Sequence, residues 1–497
     1  MSWQKLDELC VKLEGLGHAE AILDADEAIF MPVGGGDKRA EAMAVLAGIH
    51  HETATAPEVA DWIAAAEREI DSEAQRLALA EFGRVYRNMT CLPTAFVRRQ
   101  TETRTKSMQV WREARPRGDW TFFRPVLEEV VRLTREEAAM RAEILGLAPY
   151  DALMEQYDPG NRVADIDPVF ERLRAFLTDF LPEALEAQKR RLASRALRPL
   201  KGTFPVENQT ALGVEMARAL GFDFDHGRLD VSHHPFTGGV PTDIRMTTRY
   251  RTDAFLPSLM AVLHETGHAQ YEQGLPKTGA HWPNARARGM AMHESQSLFN
   301  EMQIARSPEF WAWGLAILRK HMGIELADWT VDDVIAHVNL VEKGLIRVDA
   351  DEVTYPLHVI LRYEIEKALL AGEIEVRDIP EIWDDKMTAS LGLSTIDDAV
   401  NGPMQDVHWS GGSFGYFPSY TLGAMMAAQQ RAALQRDLPD IGEDMKKGDF
   451  SRINAWRAEK IWSQGSNRST PELMVFATGE PLRAEYFESH LKARYGG

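Results

Sequence analysis

Cysteine is nearly absent. Two occur in 497 residues, Cys10 and Cys91, and neither has another cysteine at ligand spacing, which argues against a disulfide framework and a thiolate metal knuckle and fits a reducing compartment. No run of about 18 apolar residues exists to span a membrane. The opening MSWQKLDELCVKLEG puts charge into every turn and lacks the apolar stretch of a signal peptide, so cytoplasmic residence is expected. Positive charge is in deficit, 56 Lys and Arg against 75 Asp and Glu for a net charge of -19. Without a basic patch such a surface repels phosphate and anionic lipid, so neither nucleic acid nor membrane is an expected partner. Internal repeats, low-complexity tracts and Gly/Ser linkers are also missing, and nothing divides the chain into strung modules.

What is present is an ordinary globular mixture, 44% hydrophobic and 26% charged. From residue 3 to about 145, apolar residues recur at three and four, as in RPVLEEVVRLTREEAAMRAEILG, which is amphipathic helix spacing. Helices are expected again at 167–194 and 208–220. The stretch 222–250 breaks the pattern with Gly, Pro, His and Asp and ends in the alternating DIRMTTRY, read as a loop followed by a short strand over 243–250. Helical periodicity resumes after 254, with interruptions near 273–288 and 402–415. STPELM from 469 carries a good helix start. The expected fold class is mainly α, one large multi-helix unit over residues 1–497, with a short strand or small sheet.

One segment carries chemistry. In AVLHETGHAQY, 261–271, Pro257 suits the first helical position, and Leu259, Val262, Leu263 and Tyr271 continue an apolar face through the motif. His264 and His268 then project from one side a turn apart, the spacing at which two imidazoles share a metal. Glu265, rotated about 100° from His264, can reach a water beside that metal and act as general base. A third ligand is expected in MAMHESQSLFNEMQIARSP, where Glu294 aligns with Ser297, Leu298 and Met302 on a stripe that looks buried. A carboxylate there needs a compensating charge. A zinc ion would supply it, and so would Arg286 or Arg288. Glu301 is a rival ligand, while His293 faces elsewhere. The chemistry expected is metal-assisted hydrolysis of a peptide bond.

HETGH and HESQS, thirty residues apart from first histidine to glutamate, occur with DIRMT at 243–247, IRVDAD at 346–351 and GPMQDVHW at 402–409. Together these motifs resemble the carboxypeptidase Taq family of zinc metallocarboxypeptidases. The resemblance implies a zincin-like helical fold with a deep active-site groove, 1–220 forming its wall and lid and 221–497 the zinc site and substrate-binding half. It implies removal of single C-terminal residues from peptides with a free C-terminus, a homodimer, and Zn2+ or another divalent ion such as Co2+, held by His264, His268 and Glu294 with Glu265 as base. Arg347 and Arg245 match family arginines that resemble binders of the terminal carboxylate or guards of the closed end, with Asp349 and Asp243 as alternative partners. YFPSY is similar to the YFVSF of angiotensin-converting enzyme, which points to Tyr416 as an oxyanion donor, with His408 as the second donor and Tyr420 beside them. His234, in HHPF, is expected to line the groove next to the strand 243–250, whose edge could hold an extended substrate. An endopeptidase with the same site and a noncatalytic peptide-binding relative are the alternatives.

Overall fold

Capping chemistry marks a quarter of the α-helix starts. Ser72 and Gln75 form a capping box at one, Ser469 and Glu472 at another, and Asp119 accepts from Phe122 N–H at a third. The computed structural model describes residues 1–497, Ile324 by its backbone alone. Among the described residues nine helices, α1 (Ser2–Ile29) through α9 (Val206–Leu220), precede a three-stranded sheet, and eleven follow it, α10 (Leu256–Gly274) through α20 (Ala484–Tyr495). The fold is mainly α. No helix among the described residues is long and apolar enough to cross a membrane.

The first helices stand apart from the main core. α1, α3 (Pro57–Ala66) and α4 (Glu73–Thr90) bury Leu6, Leu9, Val59, Leu79 and Phe82 in a small cluster of their own, whereas the principal core runs from Ala114 to Tyr495. α2 (Gly36–Ala54) buries only Ala54, so it is held chiefly by its neighbour α1 and adds little apolar burial.

The sheet departs from the sequence reading. β1 (Gly227–Val231), β2 (Phe236–Val240) and β3 (Asp243–Thr248) assemble in the order β1-β3-β2, β1 parallel and β2 antiparallel to β3. Two of these strands fall largely in the stretch expected to be loop. Gly238 and Gly239 give β2 no propensity of its own, and pairing Thr237 with Met246 makes it a strand. β3 is central and has no free edge of its own, so the edge expected of 243–250 falls instead to β1 and β2, with α1 packed beside β2. Ile244 and Met246 of β3 pack on Val262 and Ala269 of α10, and this contact seats the sheet against the HETGH helix.

α10 crosses α11 (Met290–Leu298), which runs on as a π-helix over Phe299–Ala305. Two features hold the crossing closed. Gly267 meets α11 backbone to backbone, where a Cβ would lie 2.2 Å from Gln296 O. Arg457 of α18 (Ser451–Lys460), fully buried, donates to Gln296 O at 2.9 Å and Asn300 Oδ1 at 2.8 Å. Its guanidinium stacks over Phe299 and Trp462. On the far side, α16 (Pro418–Asp437) lies so close that a Cβ on Gly423 would be 2.8 Å from Glu294 Cβ.

Candidate metal centre and active site

Periodicity places the two histidines, and the helix crossing supplies their partner. With Leu259, Val262 and Leu263 buried on one side of α10, His264 and His268 stand with ring centroids 5.1 Å apart. Glu294 comes across from α11, Oε1 at 3.9 Å from His264 Nε2 and Oε2 at 3.4 Å from His268 Nε2. One ligand atom from each of the three residues lies within 4.8 Å of the others. Neither arginine considered from sequence is Glu294's partner. Arg288 pairs with Glu81 at 3.0 Å, and the groups that face Glu294 are the two imidazoles.

The imidazoles are oriented from behind. His264 Nδ1 donates to Glu301 Oε2 at 2.9 Å, and Glu301 is held in turn by Arg306 at 2.8 Å. His293 Nε2 donates to Glu272 Oε1 at 2.8 Å, which leaves its Nδ1 to accept from His268 Nδ1 at 2.6 Å. Both ligand histidines therefore present an Nε2 lone pair to the point that Glu294 faces. Burial works against charge on His264, yet the bond to Glu301 and the nearby Glu294 and Glu265 raise its affinity for a proton, and that Nε2 proton is the one a metal ion would displace. Three carboxylates around one imidazole make a pocket that favours a cation, so the residues fit a divalent metal. Glu301 thus orients a ligand, with His264 and Arg306 taking its oxygens. The expected result for Glu301→Gln is a 10–100-fold weaker metal affinity, of the order seen when outer partners are lost, measured by chelator competition. An unchanged constant would remove Glu301 from the site.

Glu265 is 6% exposed, and its Oε2 accepts the Thr237 hydroxyl at 2.6 Å. Thr237 was not legible in the sequence, because its strand exists only by pairing. A cavity of about 810 Å³ opens beside these residues, lined among others by His264, Glu265, Glu294, Arg347, Tyr355 and Tyr420. Arg347 is paired, and its partner is not Asp349. Its Nε and Nη2 donate to Asp406 Oδ1 at 2.9 and 2.8 Å, and Nη1 donates to the Tyr355 hydroxyl at 2.9 Å. Arg362 of α14 (Tyr355–Ala371) donates to the other Asp406 oxygen at 2.6 Å. Burial works against the Asp406 charge, but Arg362 and Arg347 outweigh it and hold the carboxyl well below its usual range. Two guanidiniums against one carboxylate leave an excess positive charge at this wall.

Arg245 is placed differently. Its guanidinium forms a two-point pair with Asp243, at 2.6 and 2.9 Å, on the face of β3 opposite Ile244 and Met246. It does not line the metal-side cavity, and His234 is exposed, one residue before Pro235, which does. Tyr416 and Tyr420 stack edge to face at 5.2 Å, and His408 Nε2 meets the Tyr420 hydroxyl at 3.1 Å. Of these three only Tyr420 lines the cavity. Burial, with Glu294 nearby, pushes Tyr416 far above the usual phenol range, burial likewise takes Tyr420 up to about 12, and burial brings His408 down to about 4. All three are neutral near pH 7.

Two imidazoles on one helix, a carboxylate from a crossing helix and a second carboxylate held beside them form a site that could hold a metal ion, which places the chain in the class of helical metal-dependent hydrolases. The Carboxypeptidase Taq (M32) metallopeptidase family matches residues 5–495. Thermostable carboxypeptidase 1 of Thermus thermophilus is 36% identical, covering 99% of this chain and 98% of its own. Among solved structures, Trypanosoma cruzi metallocarboxypeptidase 1 superposes with a TM-score of 0.97 at 42% identity, covering 100% of this chain and 99% of that one. The M32 carboxypeptidase from Deinococcus radiodurans R1 superposes with a TM-score of 0.94 at 34% identity, with the same coverage. The chain belongs to the carboxypeptidase Taq family. It is a metallocarboxypeptidase, a peptide hydrolase of a family that uses a divalent metal.

Proposed function

We propose that the chain is a zinc-dependent exopeptidase that removes single residues of broad identity from peptide C-termini. The observation that carries this reading is one cavity lined by His264, Glu265 and Glu294 at one wall, with His268 completing the donor set, and by Arg347 at another, where Arg347 shares the Asp406 carboxylate with the buried Arg362. A His₂Glu set suits Zn2+, and Co2+ is accepted by the same donors. When bound there, the metal supplies a Lewis acid for the scissile carbonyl and lowers the pKa of a water.

The chain's own groups carry the remaining work. Glu265, fixed through Oε2 by Thr237, takes the proton of the attacking water on its carboxylate and passes it to the departing amine. Tyr416 and His408 donate hydrogen bonds where negative charge develops on the carbonyl oxygen, and their neutral states at pH 7 support that role. Tyr420 ties His408 to the cavity wall. Arg347 holds the terminal carboxylate, since a fixed guanidinium prefers a carboxylate to a continuing amide, and the buried Arg362 takes the other oxygen of Asp406 behind it. The remainder of the peptide runs toward the outer edge of β2. A second cavity, about 510 Å³, supports this path, lying between Glu14 and His18 of α1 and Gly239 and Val240 of β2. His234 and Arg245 enter only as rim groups of that path. The homodimer and cytoplasmic residence belong to the same reading, and a sedimenting species of one chain's mass would remove the dimer.

The test is a mass-spectrometric time course of zinc-loaded protein with one unstructured peptide and its C-terminally amidated twin. A ladder of single-residue losses from the free acid alone is expected. Internal cuts in both peptides would replace the exopeptidase with an endopeptidase, and cleavage of neither would remove zinc hydrolysis from the account.

A further inference from the structure

Helix α14 faces the irregular segment 399–417 with two charged side chains one turn apart. Arg362 holds Asp406, as described. Four residues on, Glu366 is fully buried, and its carboxylate collects three donors. Trp409 Nε1 donates to Oε1 at 2.9 Å, while Gly415 N–H at 3.0 Å and the Tyr150 hydroxyl at 2.7 Å donate to Oε2. Nothing in the chemistry above uses this group.

The position of the donors gives it a purpose. Residues 399–417 form neither helix nor strand; backbone turns such as Gly411 N–H to Val407 O and Ser413 N–H to His408 O shape them locally, and side chains fix those turns against the rest of the fold. Trp409 directly follows His408, and Gly415 directly precedes Tyr416, so Glu366 grips the segment at the two residues adjoining the proposed oxyanion donors. Gly415 suits this grip. Its φ is +86°, and a Cβ there would stand 3.0 Å from Met154 N, so only glycine lets the segment pack this close to the Leu153–Met154 backbone with its N–H on the carboxylate. Tyr150, on α7 (Pro149–Met154), closes the third side. Burial pushes the Glu366 carboxyl up to about 7, against the pull of Gly415, Tyr150 and Trp409. A fully enclosed acid whose donors come mostly from one loop is costly to keep for packing alone.

We propose that Glu366 is a positioning residue of the active site, fixing segment 406–416 so that His408 and Tyr416 are held against Tyr420, which lines the cavity. This rests on the donor role given to those two residues under the proposed function. An amide in its place has the same size but must turn its NH₂ toward a donor, so Glu366→Gln loosens the segment without emptying the site.

The experiment compares metal-loaded wild type and Glu366→Gln in three readouts: hydrogen exchange of peptides covering 405–417, kcat and KM on one peptide, and metal per chain. Exchange at least about tenfold faster in that segment is expected, with kcat down about tenfold or more, KM within about twofold and metal content unchanged. A packing role alone would lower the Tm without splitting kcat from KM. Unchanged exchange and unchanged kcat would overturn the grip itself. Faster exchange with unchanged kcat would overturn the proposal through its premise, the donor role of His408 and Tyr416. Should Glu366→Gln fail to fold, Trp409→Phe removes one donor and leaves two. It should lower kcat about threefold at constant KM, of the order of one lost hydrogen bond, and no change in kcat would again refute the grip.

Discussion

Glu265→Gln lowers kcat by about a thousandfold while the chain keeps its full complement of metal. The magnitude lies within the range of about 10²–10⁴ that a positioned acid–base group contributes. An amide cannot accept the proton of the attacking water. It can still take the Thr237 hydroxyl bond through its oxygen, so the wall beside His264 keeps its shape. Glu265 is not among the three residues whose atoms converge as a candidate metal site, and metal content measured by mass spectrometry should match the wild type. Single-turnover hydrolysis reads the chemical step without product release. A variant that retained more than about a tenth of the wild-type rate would assign the proton transfer to another group.

The second large effect comes from a residue with no side chain. Gly267→Ala puts a Cβ 2.2 Å from Gln296 O and 2.6 Å from Ser297 Cα, and both are backbone atoms that cannot rotate aside. α11 must retreat, carrying Glu294 away from His264 and His268. Overpacking of this kind typically costs about 1–3 kcal/mol, and a backbone clash belongs at the upper end. The expected outcome is a Tm lowered by several degrees together with a metal affinity about 100-fold weaker, comparable to losing the groups that orient a ligand. Calorimetry and chelator competition measure the two. Gly15→Ala, where nothing lies within 4 Å of the added carbon, is the control. Gly267→Ala with unaltered metal affinity would show that Glu294 does not depend on the close crossing.

Both effects grow from the HETGH segment, and the two residues differ in how far the sequence discloses their role. Glu265 can be read from spacing. Gly267 looks like an arbitrary position in a helix until α11 is laid against it. The same contrast runs through the wall that carries Arg347. Its motif marks it, yet the nearby Asp349 is exposed and unused, while the carboxylate that takes its guanidinium is Asp406. Glu301 and His293 reverse the pattern, since both sit next to or near Glu294 in sequence, but their work is done on histidines from another helix. Strand β2 was missed because glycine-rich strands carry no local preference, and Thr237 was missed with it.

The sequence by itself determined the helical class, the helix that bears His264 and His268, the identity of Glu294 as their companion and the family. These follow from periods of three and four along one helix and from motifs in fixed order, which survive in a linear reading because helix geometry is local. Only the tertiary structure decided which strands form the edges of the sheet, which carboxylate holds Arg347, what fixes Glu265 and what the buried Glu366 grips. Each of those pairs joins residues brought together by the path of the chain, and no local period records where that path returns.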